Sequence, residues 1–183
     1  TRTPISTLYP YSSLVRAMTR NNAARALGSL VEILGKENFP DMIDNLLGTL
    51  GDERKAGYRL SSAQALSEVL SCLGVSRLED ILPSILAGAS SSRSYVRAGY
   101  MPLLLYLPVC FGAQFSPYIA KILPAILAGL ADDDDIINDT AIRAGKLIVS
   151  NYANKAVDLL LPELENGLSD TNYRIRLSSV KLI

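Results

Sequence analysis

Four consecutive carboxylates, Asp132 to Asp135, form the densest group of chemically competent side chains in this 183-residue sequence. Clustered carboxylate oxygens are the ligands that Ca²⁺ and Mg²⁺ prefer in proteins. The run lacks the alternating spacing and the central glycine of an EF-hand loop. It falls in a turn between two amphipathic segments, so we predict that its aspartates begin a helix, where negative charge is favourable, and otherwise face solvent. An electrostatic contact with a basic partner is the alternative.

Nucleophilic and metal chemistry has few other candidates in the chain. There is no histidine and there are only two cysteines, Cys72 and Cys110, which excludes Ser-His-Asp and Cys-His nucleophile systems and histidine-ligated zinc. The cysteines follow Arg59 and Arg97 at matching distances, and we predict small buried thiols on neighbouring helices. Two cysteines are too few for a disulfide scaffold and indicate a reducing compartment. We therefore predict a protein that is not an enzyme, with no catalytic residue, metal or cofactor.

Basic side chains are the remaining candidates for a partner contact. Lysine plus arginine and aspartate plus glutamate are balanced at 18 each, so no global charge draws the chain to nucleic acid or to a membrane surface. Arg54, Lys55 and Arg93 nevertheless fall in predicted turns, close to Tyr58 and Tyr95. Basic and aromatic side chains together suit RNA or an acidic protein surface, and we predict these three as partner-binding residues. Plain solvated surface is the alternative.

An internal repeat positions all of these residues. Similar apolar segments recur at intervals of about 40 residues, starting at Ile43, Leu82, Leu123 and Leu161. Two polar markers follow each start at matching distances, Asp52, Ser91, Asp132 and Asp170 in the turn and Arg59, Arg97, Asn138 and Arg176 after it. A period of this length containing two amphipathic helices is typical of HEAT-type repeats, in which each unit buries an apolar face against its neighbour.

The period predicts an all-α HEAT-repeat solenoid of about five helical hairpins in a single segment. The predicted units are 1–36, 37–74, 75–113, 114–152 and 153–183. The chain ends inside a helical pattern, so we expect it to be a fragment of a longer solenoid. No apolar run reaches the roughly 20 residues that a membrane-spanning helix requires, so we expect no membrane contact.

The acidic and basic markers share the period and therefore predict a structural ladder between units. Each arginine is expected to approach the turn aspartate of its own or an adjacent unit, and the members are Asp52, Arg59, Arg97, Asp132, Asp170 and Arg176. A functional row of charges is the alternative. Asn138 stands in place of the arginine in the fourth unit, so we expect the ladder to be weaker there.

Several segments carry a resemblance to a known family. They are Leu8 to Val15, Ala24 to Gly28, Asp139 to Gly145, Leu159 to Leu168 and Tyr173 to Val180. In these segments the chain resembles the general-control translational activator family, whose members are very large HEAT-repeat proteins. The resemblance spans nearly the whole chain, and these segments are more specific than the repeat itself.

The resemblance implies a non-catalytic scaffold that binds translating ribosomes, including stalled or collided ones, through rRNA or ribosomal protein. It also implies activation of the kinase that phosphorylates initiation factor two in amino-acid starvation, and a cytoplasmic location. That kinase and an ATP-binding-cassette protein are implied partners of other parts of the full-length protein. The repeat alone leaves open a HEAT scaffold of a nuclear transport receptor, a phosphatase or an elongation factor, because fold does not determine function.

Overall fold

The computed structural model describes residues 9–152, 158, 161–162 and 165–182. Eight α-helices have defined bounds: α1 Tyr9–Leu34, α2 Met42–Gly51, α3 Arg59–Leu73, α4 Val75–Ala89, α5 Ser94–Phe111, α6 Ile119–Leu130, α7 Asp135–Asn151 and α8 Tyr173–Leu182. Shorter 3₁₀ segments are Lys36–Asn38, Glu53–Tyr58 and Gly112–Tyr118. No β-strand occurs in the part of the chain that the structure describes, and the predicted all-α class is confirmed.

The helices form two layers. In one layer α1, α3, α5, α7 and α8 follow one another, each packed against the next. In the other layer α2, α4 and α6 each pack against the helix that follows in the chain, α3, α5 or α7. This is the arrangement of stacked HEAT hairpins, in which a unit covers its apolar face only with the help of its neighbours.

The hydrophobic core fills the interface between the two layers. Its fully buried side chains come from helices of both layers and include Leu50, Leu66, Leu70, Leu78, Ile85, Leu104, Leu107, Phe115 and Ile122. Burying one leucine, isoleucine or phenylalanine side chain stabilises the fold by about 1.5 to 3 kcal/mol. Because this core holds the helices together, the polar turns inside the hairpins are not needed for core packing. They are therefore available for contacts with other molecules.

Glycines make the sharp reversals that connect one unit to the next. Gly74 separates α3 from α4 with φ of 89°, and Gly112 ends α5 with φ of 53°. Residues with a Cβ are strained at positive φ, so glycine is favoured at both positions. The turns inside the hairpins are different, because they are built on aspartate and serine, and they form the edge described below.

The first predicted hairpin differs from the structure. Residues 9–34 form the single helix α1 where the sequence pattern predicts two helices and a turn. The segment from Thr19 to Ala23 contains no glycine or proline, so nothing stops the helix there. Residues 1–8 of that predicted unit, and most of 153–164 in the last one, lie outside the described residues.

One stretch, Ser94–Leu130, is long and apolar enough to cross a membrane by length and composition. In the fold it is divided between α5, a 3₁₀ segment and α6. Half of its apolar window is buried inside the fold, and Leu103 and Leu104 have no exposed surface. Core packing therefore accounts for the apolar composition of this stretch.

Candidate partner-binding edge

The turn inside each hairpin has the same local geometry. One polar side chain accepts a hydrogen bond from the backbone amide two residues later, with distances of 2.9 Å to Asp52, 3.3 Å to Ser91, 3.0 Å to Asp132 and 2.7 Å to Asp170. Aspartate and serine favour such turns because the side-chain oxygen takes the place of a backbone acceptor. The four turn residues are therefore equivalent in structure as well as in sequence.

Arg97 joins the third unit to the fourth. Its Nη1 donates to the carbonyl oxygens of Ser91 and Ser92 in its own turn, at 2.8 and 3.1 Å. Its Nε and Nη2 donate to Oδ2 and Oδ1 of Asp132 in the next turn, at 2.7 and 3.0 Å. The Asp132 side chain is only 6% exposed, so this two-pronged pair is better shielded from water than an ordinary surface ion pair.

The contact changes the acid–base behaviour of both partners. Burial disfavours the charged form of Asp132, but hydrogen bonds from Arg97 and from the amide of Asp134 outweigh burial and lower the pKa of this carboxyl group. The same hydrogen bond raises the pKa of Arg97. Both groups are therefore charged at neutral pH, and the junction is a true ion pair.

Arg59 holds the equivalent place one unit earlier, with different partners. Its Nη2 donates to the carbonyl oxygens of Asp52 and Glu53 in its own turn, at 3.0 and 3.1 Å. The next turn, however, carries Ser91 instead of an aspartate. The Nε of Arg59 is buried and has no hydrogen-bond partner among the described residues.

Arg176 also holds its own turn. Its Nη1 donates to the carbonyl oxygens of Asp170 and Thr171, at 2.8 and 2.9 Å. All three ladder arginines therefore bind backbone oxygens of the turn that precedes them. Within the described part of the chain, only Arg97 among them also contacts a carboxylate.

Asn138 takes the arginine position in the fourth unit. Its Nδ2 donates to the carbonyl oxygen of Leu130 at 2.6 Å and to Oγ of Ser178 at 3.2 Å. The amide thus connects the fourth unit to the last one through neutral hydrogen bonds. Such bonds contribute about 0.5 to 1.5 kcal/mol each, less than bonds to charged groups.

Two of the predicted partner-binding residues, Arg54 and Lys55, project from the second turn. The side chain of Arg54 is 92% exposed and that of Lys55 is 53% exposed. Their nitrogens lie 3.7 and 3.9 Å from the Asp52 carboxylate. Exposed pairs at this distance are weak, so both cations remain available to another molecule.

The third predicted residue, Arg93, lies in the next turn beside Tyr95. Its Nη1 donates to the Tyr95 hydroxyl at 3.0 Å. The guanidinium carbon of Arg59 lies 5.6 Å from the centroid of the same ring, within the range of a cation–π contact. Tyr95 therefore contacts arginines from two consecutive turns, an arrangement that sequence spacing did not predict.

The acidic run Asp132 to Asp135 begins α7, as predicted. Oδ1 of Asp134 accepts a hydrogen bond from the amide of Ile136 at 2.9 Å. Among the described residues, no group of three or more acidic or cysteine side chains has the arrangement of a metal site. Asp132 and Asp134 thus form the turn and the helix cap, but the prediction that the rest of the run faces solvent is wrong for Asp132, which is 6% exposed and pairs with Arg97.

Arg174 is a member of this edge that the sequence analysis missed. Its Nη1 lies 2.9 Å from Oδ1 of Asp135 and its Nε lies 3.9 Å from Asp133. A signal for it exists, because Arg174 follows its turn residue at the same distance as Tyr95 follows Ser91. Applying the repeat to every position, and not only to the two markers, identifies it.

The two cysteines are free thiols, and the prediction that both are buried is wrong for Cys72. Cys72 is exposed and Cys110 is half-buried. Cys72 lies in the last turn of α3, with its sulfur near Gly28 of α1. Burial raises the pKa of the Cys110 thiol to about 12, with a further contribution from Glu68. A thiol that stays protonated is a poor nucleophile.

Comparison with known proteins identifies relatives over most of the chain. The family model described as EF3 N-terminal HEAT repeat matches residues 59–183. The chain is 66% identical over 164 residues to the eIF-2-alpha kinase activator GCN1 of Saccharomyces cerevisiae. It is 45% identical over 166 residues to the stalled ribosome sensor GCN1 of Homo sapiens. Each alignment covers 90% of this chain but only 6% of the relative. No solved structure matches the chain.

Proposed function

Because this chain belongs to the EF3 N-terminal HEAT repeat family and is similar over 90% of its length to GCN1, we propose that it is a scaffold segment of a ribosome-binding translational regulator. The relatives carry the names kinase activator and stalled ribosome sensor. The proposed role is to promote activation of the initiation factor two kinase during amino-acid starvation and ribosome stalling. The segment does this without catalysis, as a rigid spacer and contact surface.

The edge of turns is the observation that supports a contact role. Arg54 and Lys55 project into solvent from a turn whose backbone is already held by Arg59. Arg93 projects from the next turn, beside Tyr95. A partner can bind these side chains without disturbing the core, and the ribosome presents both rRNA phosphates and acidic protein surfaces to such cations.

The proposal includes partners beyond this edge. We infer that the kinase and an ATP-binding-cassette protein bind other parts of the full-length protein, and that the protein acts in the cytoplasm. The support is the family resemblance, together with the small share of the relatives that this chain covers. No residue of this chain is assigned to either of those two partners.

The proposal is tested with a triple variant of the full-length protein, Arg54→Ala, Lys55→Ala and Arg93→Ala. We expect weaker co-sedimentation with ribosomes, because each lost phosphate contact lowers the salt dependence of binding by about one unit of slope. Folding should be unchanged, since the three side chains are exposed. Phosphorylation of the initiation factor after amino-acid withdrawal should fall in the same cells.

A matched control removes three exposed lysines that lie within α-helices, with Lys121→Ala, Lys146→Ala and Lys181→Ala. It loses the same charge and should bind ribosomes as the wild type does. Equal binding by both triple variants and the wild type would exclude the three turn residues as ribosome contacts.

A second candidate function is an elongation-factor-like HEAT scaffold, which the description of the matched family favours. The two functions differ in the kinase. A scaffold that serves elongation alone would leave phosphorylation of the initiation factor unchanged in the first triple variant while slowing elongation.

A further inference from the structure

Arg59 and Arg97 are the same repeat position in two different electrostatic settings. Arg97 has a carboxylate from the following turn at 2.7 Å. Arg59 faces a turn in which Ser91 replaces that aspartate, and its Nε stays buried without a partner among the described residues. A buried donor without an acceptor destabilises the fold, so a ligand that supplies the acceptor removes this cost.

We propose that Arg59 and Arg93, which both contact Tyr95, form a carboxylate-binding site for an aspartate or glutamate side chain of a partner protein. Arg59 is fixed in place by two backbone carbonyls, at 3.0 and 3.1 Å, and by the Tyr95 ring. Arg93 is fixed by the Tyr95 hydroxyl. Two preorganised guanidinium groups bind an anion with little loss of side-chain freedom.

The repeat itself indicates which anion fits. At the next junction the group opposite the arginine is the Asp132 carboxylate, which reaches Nε and Nη2 from a side chain. Ser91 has the same turn geometry as Asp132 but a shorter side chain without charge. A carboxylate brought by a partner therefore supplies the group that Asp132 supplies within the chain.

The surroundings favour a protein over RNA as the source of the carboxylate. Arg59 lines a groove of about 480 Å³ together with Leu60, Pro102 and Ile136. The same groove contains Asp135, which pairs with Arg174, together with Asp139 and Arg143, so its charges are mixed, and its apolar side chains suit the residues that flank an acidic side chain in a protein. The exposed Ile136, 71% accessible, offers apolar contact to the residues that flank it.

This inference rests on the proposed function only in treating the turn edge as a partner surface. Its test uses small ligands and no ribosomes, so either proposal can fail alone. The probe is the peptide acetyl-Gly-Asp-Gly-amide, with acetyl-Gly-Asn-Gly-amide as its neutral match. The readout is the Nε–Hε signal of Arg59 in nitrogen-labelled protein, measured by nuclear magnetic resonance.

We expect the aspartate peptide to shift the Arg59 signal saturably, and the asparagine peptide to leave it in place. Ser91→Asp should shift this signal without any peptide, raise the melting temperature and weaken peptide binding at least about tenfold. Ser92→Asp adds the same charge at the neighbouring exposed residue and should preserve binding. An unchanged far-ultraviolet circular dichroism spectrum shows that each variant keeps its fold.

Three results overturn the proposal. One is the absence of a saturable shift at Arg59 with the aspartate peptide. Another is equal peptide binding by Ser91→Asp and the wild type. The third is a larger response to inorganic phosphate or to a short oligouridylate than to the peptide, which would assign the two arginines to phosphate.

Discussion

Two neighbouring junctions of the solenoid place the same arginine opposite different turns. Between the third and fourth units, Arg97 binds its own turn and the Asp132 carboxylate of the next. Between the second and third units, Arg59 binds its own turn, and the next turn presents Ser91. The arginine and the turn geometry are shared, but the following turn differs in two places, with Ser91 for Asp132 and Tyr95 for Ile136.

The comparison shows how a repeat can separate two tasks. Where the aspartate is present, the arginine donates hydrogen bonds to it and stabilises the stacking of units. Where the aspartate is absent, the arginine keeps its position, but its Nε has no acceptor among the described residues. The turn edge can thus gain a partner site without any change in the core, which is why solenoids so often bind through their turns.

The largest effect is expected from Gly99→Ala, which disturbs both junctions together. A Cβ on Gly99 would overlap the backbone carbonyl of Leu50, and backbone cannot move aside as a side chain can. Because α5 carries both Tyr95 and Arg97, its displacement should separate each from its partner. We expect a loss of about 3 kcal/mol in the free energy of unfolding, measured by denaturant titration.

Gly48→Ala is the matched control, because a Cβ there meets no atom within 4 Å. It lies inside α2, where alanine is favoured over glycine by about 1 kcal/mol. We expect a small gain in stability. If both variants unfold at the same denaturant concentration, the close approach of α2 and α5 is not what fixes the two junctions.

The next largest effect is expected from a substitution that removes the carboxylate opposite Arg97. We call the junction with that carboxylate closed and the junction of Arg59, which lacks one, open. Asp132→Ser removes the acceptors of Arg97 Nε and Nη2 while keeping a hydroxyl for the turn. Because Arg97 is 23% exposed, water compensates in part, and we expect a loss of about 1 to 2 kcal/mol. Denaturant titration measures it.

Asp133→Ser in the same turn is the control. Asp133 is fully exposed, and its nearest cation is 3.9 Å away, so the change should stay within about 0.5 kcal/mol. A loss in Asp133→Ser equal to that in Asp132→Ser would mean that the acidic turn acts through its total charge, and the comparison of the two junctions would fail.

The fold was predictable because its determinants are local and repeated. Apolar spacing within each helix and the common period of the markers were enough for the all-α class and for a contact between Arg97 and the turn of the next unit. The continuity of α1 was not predicted, because the absence of a stop signal at Thr19 to Ala23 is a weaker feature than a periodic pattern. The exposure of Cys72 was not predicted either, because the matching repeat positions of the two cysteines do not fix how much of each side chain the neighbouring helices cover.

The difference between the two junctions could not be read from the sequence pattern in the same way. Ser91 is an ordinary substitution in a turn, and its consequence depends on where the Arg59 side chain lies in three dimensions. The meeting of Arg59 and Arg93 at Tyr95 likewise requires the relative placement of two turns. The repeat predicts the contacts that all units share, whereas contacts made in only one unit are found from the three-dimensional structure.

The smallest expected effect is the pH dependence of the free energy of unfolding. It distinguishes the two junctions because an ionisable turn residue, Asp132, lies opposite the arginine in only one of them. Hydrogen bonds lower the pKa of Asp132 below its unfolded value of about 3.9, despite burial. A lowered folded-state pKa means that the pair contributes fully above the unfolded value, and that this contribution is lost as pH falls through the folded one. The stability advantage of the wild type over Asp132→Ser should therefore be constant near neutral pH and shrink below about pH 4.

The same logic predicts a new pH dependence at the open junction. Ser91 has no ionisable group, so in the wild type this turn residue contributes no pH dependence. In Ser91→Asp, a carboxylate bound to Arg59 should behave as Asp132 does, and the gain in stability over Ser92→Asp should shrink as pH falls below about 4. Unfolding titrations of both variants across this range measure it. A gain in Ser91→Asp that persists unchanged in acid would show that the new side chain stabilises by packing and not by pairing with Arg59.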